Sequence, residues 1–191
     1  MLEDTEKYRG YTYVVAQDMH PWDPRDGDNL GIMAMSHRRY NLGDKVNIPY
    51  NDFNGWDEVE EYIRKTLKGV LIMPVYMYDH SNICISLSPF DCPWDSGRVG
   101  FIFTTRAKIS ENFGVKRARA GHLKRAEAIL KSEIESYNAY ISGSMYIVNV
   151  YDENGEDVEC MDGFIDTNDA EKSAKELIDY CLDKKPSLDK K

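Results

Sequence analysis

The spacing of apolar residues along the chain predicts two or three helices. Apolar side chains recur every three to four residues after Asn54, which is the expected N-cap, and Gly69 ends this pattern. A longer stretch with the same spacing stops at Gly143, and a third stretch follows soon after it. The helices are therefore expected over residues 54–69, 117–140 and 167–182, with a single further turn near 110–114.

Shorter apolar runs rich in β-branched and aromatic residues predict the strands. The turn at Asp79–Ser81 and the Asn154-Gly155 pair each separate two such runs, which is typical of β-hairpins. The expected strands cover residues 11–17, 30–37, 70–78, 82–88, 98–105, 144–151 and 158–165. Because strands and helices come in runs, the pattern predicts an α+β fold with one mostly antiparallel sheet of about six to seven strands, packed by two or three helices. Residues 1–183 are expected to form a single domain, and residues 184–191 a flexible Lys-rich tail.

The composition is typical of a packed globule and excludes several classes of protein. The 191 residues are 42% hydrophobic and include thirteen Tyr, six Phe and three Trp, which a disordered chain would lack. No apolar run approaches the ~20 residues of a membrane span, and the first residues are acidic rather than signal-like, so a cytoplasmic protein is expected. Four scattered cysteines without a Cys-x-x-Cys pair predict neither a disulfide nor a structural zinc, and no cofactor is expected.

Charge is segregated along the chain, whose formal net charge is −9. Residues 143–183 carry twelve acids and two lysines, a net charge of −10, whereas residues 98–142 carry nine bases and four acids, a net charge of +5. A cluster of acids at the second hairpin is the candidate partner-binding surface. Its members are Asp152, Glu153, Glu156, Asp157, Glu159 and Asp162.

Two interpretations of this acidic cluster remain open. It can be the solvated face of a hairpin that serves solubility, or it can mimic nucleic acid and compete for a protein that binds phosphates with Lys and Arg. The basic segment raises the opposite possibility of direct nucleic-acid binding. That alternative is less favoured, because the whole chain is acidic and these bases can pair with the acids that follow them.

Polar loops supply the remaining candidate chemistry. Asp23, Asp26 and Asp28 place carboxylates close together, but the loop lacks the EF-hand pattern and resembles an Asx-turn segment, so no metal site is predicted. A possible loop site therefore combines these acids with cationic and acidic residues further along the chain. Its expected members are Asp23, Asp26, Asp28, His37, Arg38, Arg39 and Asp95.

No catalytic motif is present in the sequence, so no catalytic residue is assigned. Cys92 is the best nucleophile candidate, and Asp79 and His80 stand beside Ser81 at a hairpin tip. Neighbours in the chain seldom face each other as a triad requires. Convergence of these residues with His37 and Asp95 in one pocket would favour an enzyme.

Four strings of residues carry a resemblance to a known family. They are WDPRDGDNLG at Trp22–Gly31, HRRYNLGD at His37–Asp44, YMYDHS at Tyr76–Ser81 and SPFDCPWDSGRVGFI at Ser88–Ile102. In these strings the chain resembles a family of small proteins encoded by phages and plasmids of Gram-positive bacteria, across nearly its whole length. The resemblance implies a role in the conflict between mobile elements and their hosts, in which small acidic proteins block CRISPR nucleases or restriction enzymes.

The sequence thus leads to one main functional hypothesis and two rivals. The main hypothesis is an anti-CRISPR-like anti-defence protein that binds and inhibits a host nuclease, such as a CRISPR effector, through its acidic surface. The first rival is a hydrolase that uses Cys92 or His80 and the loop acids on a nucleotide signal or a protein. The second is a structural adaptor without inhibitory action. No oligomeric state is predicted.

Overall fold

The computed structural model describes residues 3–184, with side chains from residue 5 onward, and it divides the chain into two compact units. One unit contains residues 3–22 and 143–184, and the other contains residues 23–142. The expected flexible tail at 184–191 lies outside the described residues, except for Lys184 at the end of a helix.

The α+β class is confirmed, but the expected single sheet of six to seven strands with two or three helices is wrong. Within residues 3–184 there are eight strands in two antiparallel four-stranded sheets, together with four α-helices, none of which is long and apolar enough to cross a bilayer. The strands are β1 (Glu3–Tyr8), β2 (Tyr11–Gln17), β3 (Ile32–Met35), β4 (Gly69–His80), β5 (Asn82–Ser86), β6 (Ser96–Thr105), β7 (Tyr146–Tyr151) and β8 (Asp157–Phe164). The helices are α1 (Trp56–Lys65), α2 (Arg106–Asn112), α3 (Ala120–Ser142) and α4 (Thr167–Lys184).

The unit formed by the two chain ends contains a sheet in the order β1-β2-β7-β8, with α4 on one face. β1 was not predicted, because its sequence is mostly charged and polar. It pairs with β2 through a tight turn in which Arg9 and Gly10 both have positive φ, as a type I′ hairpin turn requires. Alternate residues of β2 and β7 form a core with α4. The fully buried members are Tyr13, Val148, Val150, Ala170, Ala174 and Ile178.

The unit formed by residues 23–142 contains a sheet in the order β3-β6-β4-β5, covered on both faces. The long helix α3 packs on one face against Met33, Val75 and Ile102, while α1 packs on the other against Phe101 and Phe103. β6 is therefore buried on both sides over residues 99–104, which explains its unbroken apolar run. The edge strand β3 is short and pairs only with residues 100–103 of β6, and Ser36 N–H donates to the carbonyl of Val99 just before them. The first residues of β6, before Val99, therefore have no β3 neighbour on that side.

Two glycines of β6 offer a matched test of this packing. An added Cβ at Gly100 would collide with the carbonyl oxygen of Ala34 on β3, whereas at Gly97 it would meet open space. We expect Gly100→Ala to lower the free energy of unfolding by about 2 kcal/mol, the scale of overpacking in a filled core. Gly97→Ala should change it by less than about 0.5 kcal/mol. Equal effects of the two variants in urea unfolding would contradict this arrangement of β3 and β6.

Candidate functional site

The acidic hairpin formed by β7, β8 and their connecting turn is held in a defined shape. Asp152 Oδ1 accepts hydrogen bonds from the backbone N–H groups of Asn154 (2.8 Å) and Glu156 (2.9 Å), and the Asp152 N–H donates to the carbonyl of Glu156 (2.9 Å). Gly155 adopts a positive φ of 82°, which closes the turn. The carboxylate of Asp152 therefore builds the turn.

The other five predicted acids of this cluster point to solvent. Glu153, Glu156, Asp157, Glu159 and Asp162 are all exposed, while Val158, Met161 and Phe164 on the same strand pack toward the core. β8 pairs only with β7, so it is an edge strand of the sheet. The exposed carboxylates therefore line an open sheet edge and its turn.

Within the described part of this unit, the ion pairs lie on α4 and leave most hairpin acids unneutralised. Arg9 pairs with Asp179 (2.6 Å), and Lys175 pairs with Glu171 (3.3 Å). No Lys or Arg among residues 5–22 and 143–184 comes within ion-pair distance of four hairpin acids, which are Glu156, Asp157, Glu159 and Asp162. The negative potential of this surface is thus not cancelled by local cations.

Two further exposed acids extend this surface, and the sequence analysis did not place them in it. Asp166 caps α4, since its Oδ1 accepts the N–H of Asn168 (2.7 Å), and Asp169 lies in the first turn. A carboxylate at a helix N-terminus is stabilised by the helix dipole. Both follow directly after β8 and belong to the same −10 segment, which is the signal that could have identified them.

The loop that contains Asp23, Asp26 and Asp28 is organised by Arg25, which the sequence analysis missed. The Arg25 side chain is only 5% exposed, and it binds Asp44 with two hydrogen bonds, from Nε (2.9 Å) and Nη2 (2.7 Å). Its Nη1 donates to Glu133 Oε2 (3.0 Å) on α3. Burial by itself would lower the pKa of Arg25, but its bonds with Asp44 and Glu133 raise it, so the guanidinium stays charged.

Both carboxylates that hold Arg25 also bind backbone N–H groups. Glu133 accepts from Leu30 (2.8 Å) and Gly31 (3.1 Å), and Asp44 Oδ2 accepts from Met33 (2.8 Å). Buried charges with this many partners are strongly coupled to the local fold. This cluster, which we call the Arg25 network, is therefore structural, and it fixes the strings WDPRDGDNLG and HRRYNLGD to α3.

The predicted loop acids border the Arg25 network but are not gathered around a cation site. Asp23 caps a short 3-10 helix at Pro24–Asp26 by accepting the Arg25 N–H (2.8 Å). A cavity of about 530 Å³ is bordered by all three acids, but also by Lys45 and Lys108. Among the described residues no group of three or more His, Cys, Asp or Glu side chains is arranged to hold a metal ion.

A second cavity, of about 300 Å³, lies beside the open edge of β6, and we call it the edge cavity. It brings together four of the predicted residues, which are His37, Arg39, Asp79 and Asp95. Asp79 pairs with Arg39 and accepts a hydrogen bond from Tyr40 Oη (3.2 Å). The backbone N–H of Asp79 donates to the carbonyl of Asp95 (2.8 Å), so three of the four strings meet here.

The remaining candidates lie apart from the edge cavity's lining. The Cys92 thiol donates to Asp95 Oδ2 (3.6 Å), whereas a nucleophilic cysteine is activated by a cationic neighbour. His80 Nδ1 lies 3.4 Å from Ser81 Oγ at the exposed tip of the β4–β5 hairpin. Asp79 faces Arg39 and Tyr40 in this arrangement, so these residues do not form a triad. Arg38 is exposed and makes none of the described contacts.

Arg98 is a further lining residue of the edge cavity that sequence reasoning did not single out. Its guanidinium lies over the rings of Tyr76 (5.4 Å) and Phe101 (5.6 Å) and donates to Tyr76 Oη (3.0 Å). The indole of Trp94, which is 92% exposed, forms another part of the rim. The cavity therefore mixes two guanidinium groups, two carboxylates and an exposed aromatic ring, which suits a small polar ligand better than an apolar one.

Neither protein-family models nor curated proteins nor solved structures yield a match to this chain. These comparisons therefore add no evidence on its function.

The Arg25 network predicts a large and local dependence of stability on one side chain. Arg25→Met keeps an apolar stem but leaves two partly buried carboxylates without their cation, so we expect a loss of about 3 kcal/mol in the free energy of unfolding, the lower end of the range for a broken buried pair. The matched control is Arg38→Met at an exposed position, which should change it by less than about 0.5 kcal/mol. Thermal and urea unfolding of both variants measures the difference. If Arg25→Met is as stable as Arg38→Met, the Arg25 network contributes little to the stability of the protein.

Proposed function

We propose that this protein is a binding inhibitor whose acidic hairpin occupies the nucleic-acid site of a host defence nuclease. The observation that carries the proposal is that Glu156, Asp157, Glu159 and Asp162 are exposed and lie beyond ion-pair distance of every Lys and Arg in the described part of their own unit. A site that neutralises phosphates with Lys and Arg also attracts carboxylates presented at a suitable spacing.

The geometry of β8 gives this mimicry a physical basis. A strand rises by about 3.3 Å per residue, close to the roughly 3.4 Å that separates successive phosphates along one DNA strand axis. Asp157, Glu159 and Asp162 are two and three residues apart along this strand. Measured along the strand axis, these three positions are therefore about two and three axial phosphate intervals apart.

The rigidity of the turn supports binding. Because Asp152 fixes the backbone at Asn154 and Glu156, the neighbouring carboxylates are presented without the entropy cost of ordering a loop. Protection of an edge strand from pairing with other chains needs only one or a few charges. The hairpin carries more acids than that protection requires.

The class of partner comes from the resemblance that the four strings between Trp22 and Ile102 bear to proteins of phages and plasmids. A mobile element gains from blocking nucleases that recognise its nucleic acid, and these enzymes carry basic channels for it. The partner is accordingly an RNA-guided nuclease or a restriction enzyme of the host cytoplasm, of the kind that anti-CRISPR proteins block.

Charge neutralisation on the hairpin tests the proposal. In Glu156→Gln/Asp157→Asn/Glu159→Gln, we expect the affinity for the target nuclease to fall at least about tenfold, because three charge-assisted contacts are lost. The control Asp52→Asn/Asp57→Asn/Glu61→Gln removes the same number of negative charges from exposed positions of the other unit. Binding and inhibition are measured against purified candidate nucleases from about 50 to 200 mM salt.

Binding that is absent at low salt for every candidate nuclease would contradict the proposal. Equal losses in the two triple variants would also contradict it, since they would reflect the net charge of the protein rather than the hairpin.

The edge cavity supports a second candidate, a hydrolase acting on a nucleotide signal or a protein. The specific observation is that His37, Asp79 and Asp95 border one polar cavity with two arginines. Cys92 lies beside it through its contact with Asp95.

Stoichiometry separates the two candidates. A binding inhibitor abolishes nuclease activity only near one molecule per molecule of enzyme, whereas a hydrolase acts at far lower ratios and with time. We expect one-to-one inhibition that His80→Ala and Cys92→Ala leave unchanged. Time-dependent inactivation at about one-hundredth of the enzyme concentration, lost in either variant, would instead establish the hydrolase.

A further inference from the structure

A strongly basic surface lies at the start of α3, in a protein that is acidic as a whole. Residues 106–125 contain seven bases and one acid, a net charge of +6, whereas the entire chain has −9. Six of the bases have exposed side chains. We call them the basic surface, and they are Arg106, Lys116, Arg117, Arg119, Lys124 and Arg125.

The fold holds α2 and the segment after it against the start of α3. Arg106 Nη1 donates to the carbonyl of Ala118 (3.3 Å), while Ser110 Oγ accepts the Ala118 N–H (3.0 Å). Val115 N–H donates to the carbonyl of Ser110 (2.9 Å). The connecting segment therefore follows α2 closely, and its lysine and arginines are displayed beside Arg106.

Aromatic stacking joins the first turns of α3 to the same surface. The ring of Phe113 stacks on His122 with a centroid distance of 5.6 Å, and the Arg125 guanidinium lies 4.5 Å from the Phe113 centroid. The His122 ring also accepts the Arg119 N–H (3.0 Å). Positive charge is thereby presented on a supported surface rather than on a loose loop.

The described carboxylates of the same unit make no ion pair with the basic surface, although the pKa of Glu127 is lowered by its hydrogen bond with Lys131 and, to a smaller extent, by the charge of Lys124. Among residues 23–142, none of its six members lies within ion-pair distance of an Asp or Glu. Further along α3 the charges do pair, as in Lys131 with Glu127 (2.7 Å). The first turn of α3 contains no acid, so Arg119, which immediately precedes the helix, faces the positive end of the helix dipole without a compensating carboxylate. Such an arrangement is unfavourable for the isolated protein and becomes favourable with a polyanion bound.

We infer that the basic surface binds the phosphate backbone of a nucleic acid. Exposed Lys and Arg side chains without ion-pair partners among residues 23–142 suit phosphates, and contacts to the phosphate backbone carry no sequence information. Phe113, the aromatic ring within this surface, is already covered by Arg125 and His122. A second copy of the chain would have to place its acidic hairpin against this surface, in a heterologous contact that forms rings or open filaments, and sedimentation detects such assemblies.

The inference goes beyond the proposed inhibition and does not depend on it. It concerns the protein alone and needs no nuclease. Failure of the acidic hairpin to bind any nuclease would leave it intact, and failure to bind nucleic acid would leave the proposed inhibition intact.

Fluorescence anisotropy with a labelled 20-base-pair DNA duplex tests the inference on the full chain. The variant Arg117→Ala/Arg119→Ala/Lys124→Ala should bind at least about tenfold more weakly near 50 mM salt and should lower the slope of log affinity against log salt by up to about three. The control Arg64→Ala/Lys65→Ala/Lys172→Ala removes three exposed cations elsewhere, whose side chains are 56%, 72% and 73% exposed. It should bind within about twofold of the parent protein and keep its salt slope.

Four results would overturn the inference. They are no binding at about 50 mM salt, equal weakening in the two triple variants, binding to vesicles of anionic phospholipid in preference to the duplex, and self-association of the parent protein that the first variant abolishes in sedimentation. Circular dichroism is the control for folding, and we expect both variants to be folded because the substituted positions are exposed. The variant Glu156→Gln/Asp157→Asn/Glu159→Gln should bind the duplex at least as tightly as the parent protein, which separates this surface from the hairpin.

Discussion

The buried guanidinium of Arg25 is the interaction on which the unit of residues 23–142 depends. A charged group that is 5% exposed is tolerated only with full compensation, and Asp44 and Glu133 supply it. Each of these carboxylates also accepts backbone N–H groups, so the loop before β3, β3 itself and α3 share one set of bonds. Gly43 N–H is held in turn by Tyr137 Oη on α3 (2.9 Å). Gly43 thereby anchors one end of the segment that contains His37 and Arg39. Within this segment, Arg39 pairs with Asp79.

The elements that the sequence predicted are those specified by nearby residues. α1, α3 and α4 follow from apolar spacing, and the β7–β8 hairpin follows from Asn154-Gly155, because each signal lies within the element it describes. The division into two sheets could not be predicted in this way. β2 pairs with β7, more than a hundred residues away, and no local pattern specifies that choice over pairing with β3. β1 was missed because its charged sequence is made a strand by its hairpin with β2 rather than by propensity.

The candidate sites also differ in whether nearby or distant residues specify them. The exposure of the hairpin acids follows from their density in the sequence, since so many like charges cannot be buried together. The Arg25 network was missed because Glu133 is far from the loop in the chain and looked like one of many charges on an amphipathic helix. The sequence left open whether His37, Asp79 and Asp95 lie in one pocket. Their convergence depends on the pairing of β4 with β6, which brings Asp79 beside Asp95. Cys92 and His80 illustrate the reverse case, in which attractive residue types lie close by without the partners that chemistry requires.

The charged side chains of the acidic hairpin and of the basic surface contribute little to the stability of the fold. Like charges along an edge strand repel one another, and cations at a helix N-terminus oppose the helix dipole by a few tenths of a kcal/mol each. Elsewhere in the described residues, opposite charges lie close together, as in the i,i+4 ion pairs of α1 and α4 and in the pairing of Arg25 with Asp44. The hairpin and the basic surface therefore depart from a rule that the rest of the molecule follows. Because their charges are opposite, the two surfaces suit different partners, the acidic hairpin a cationic one and the basic surface an anionic one.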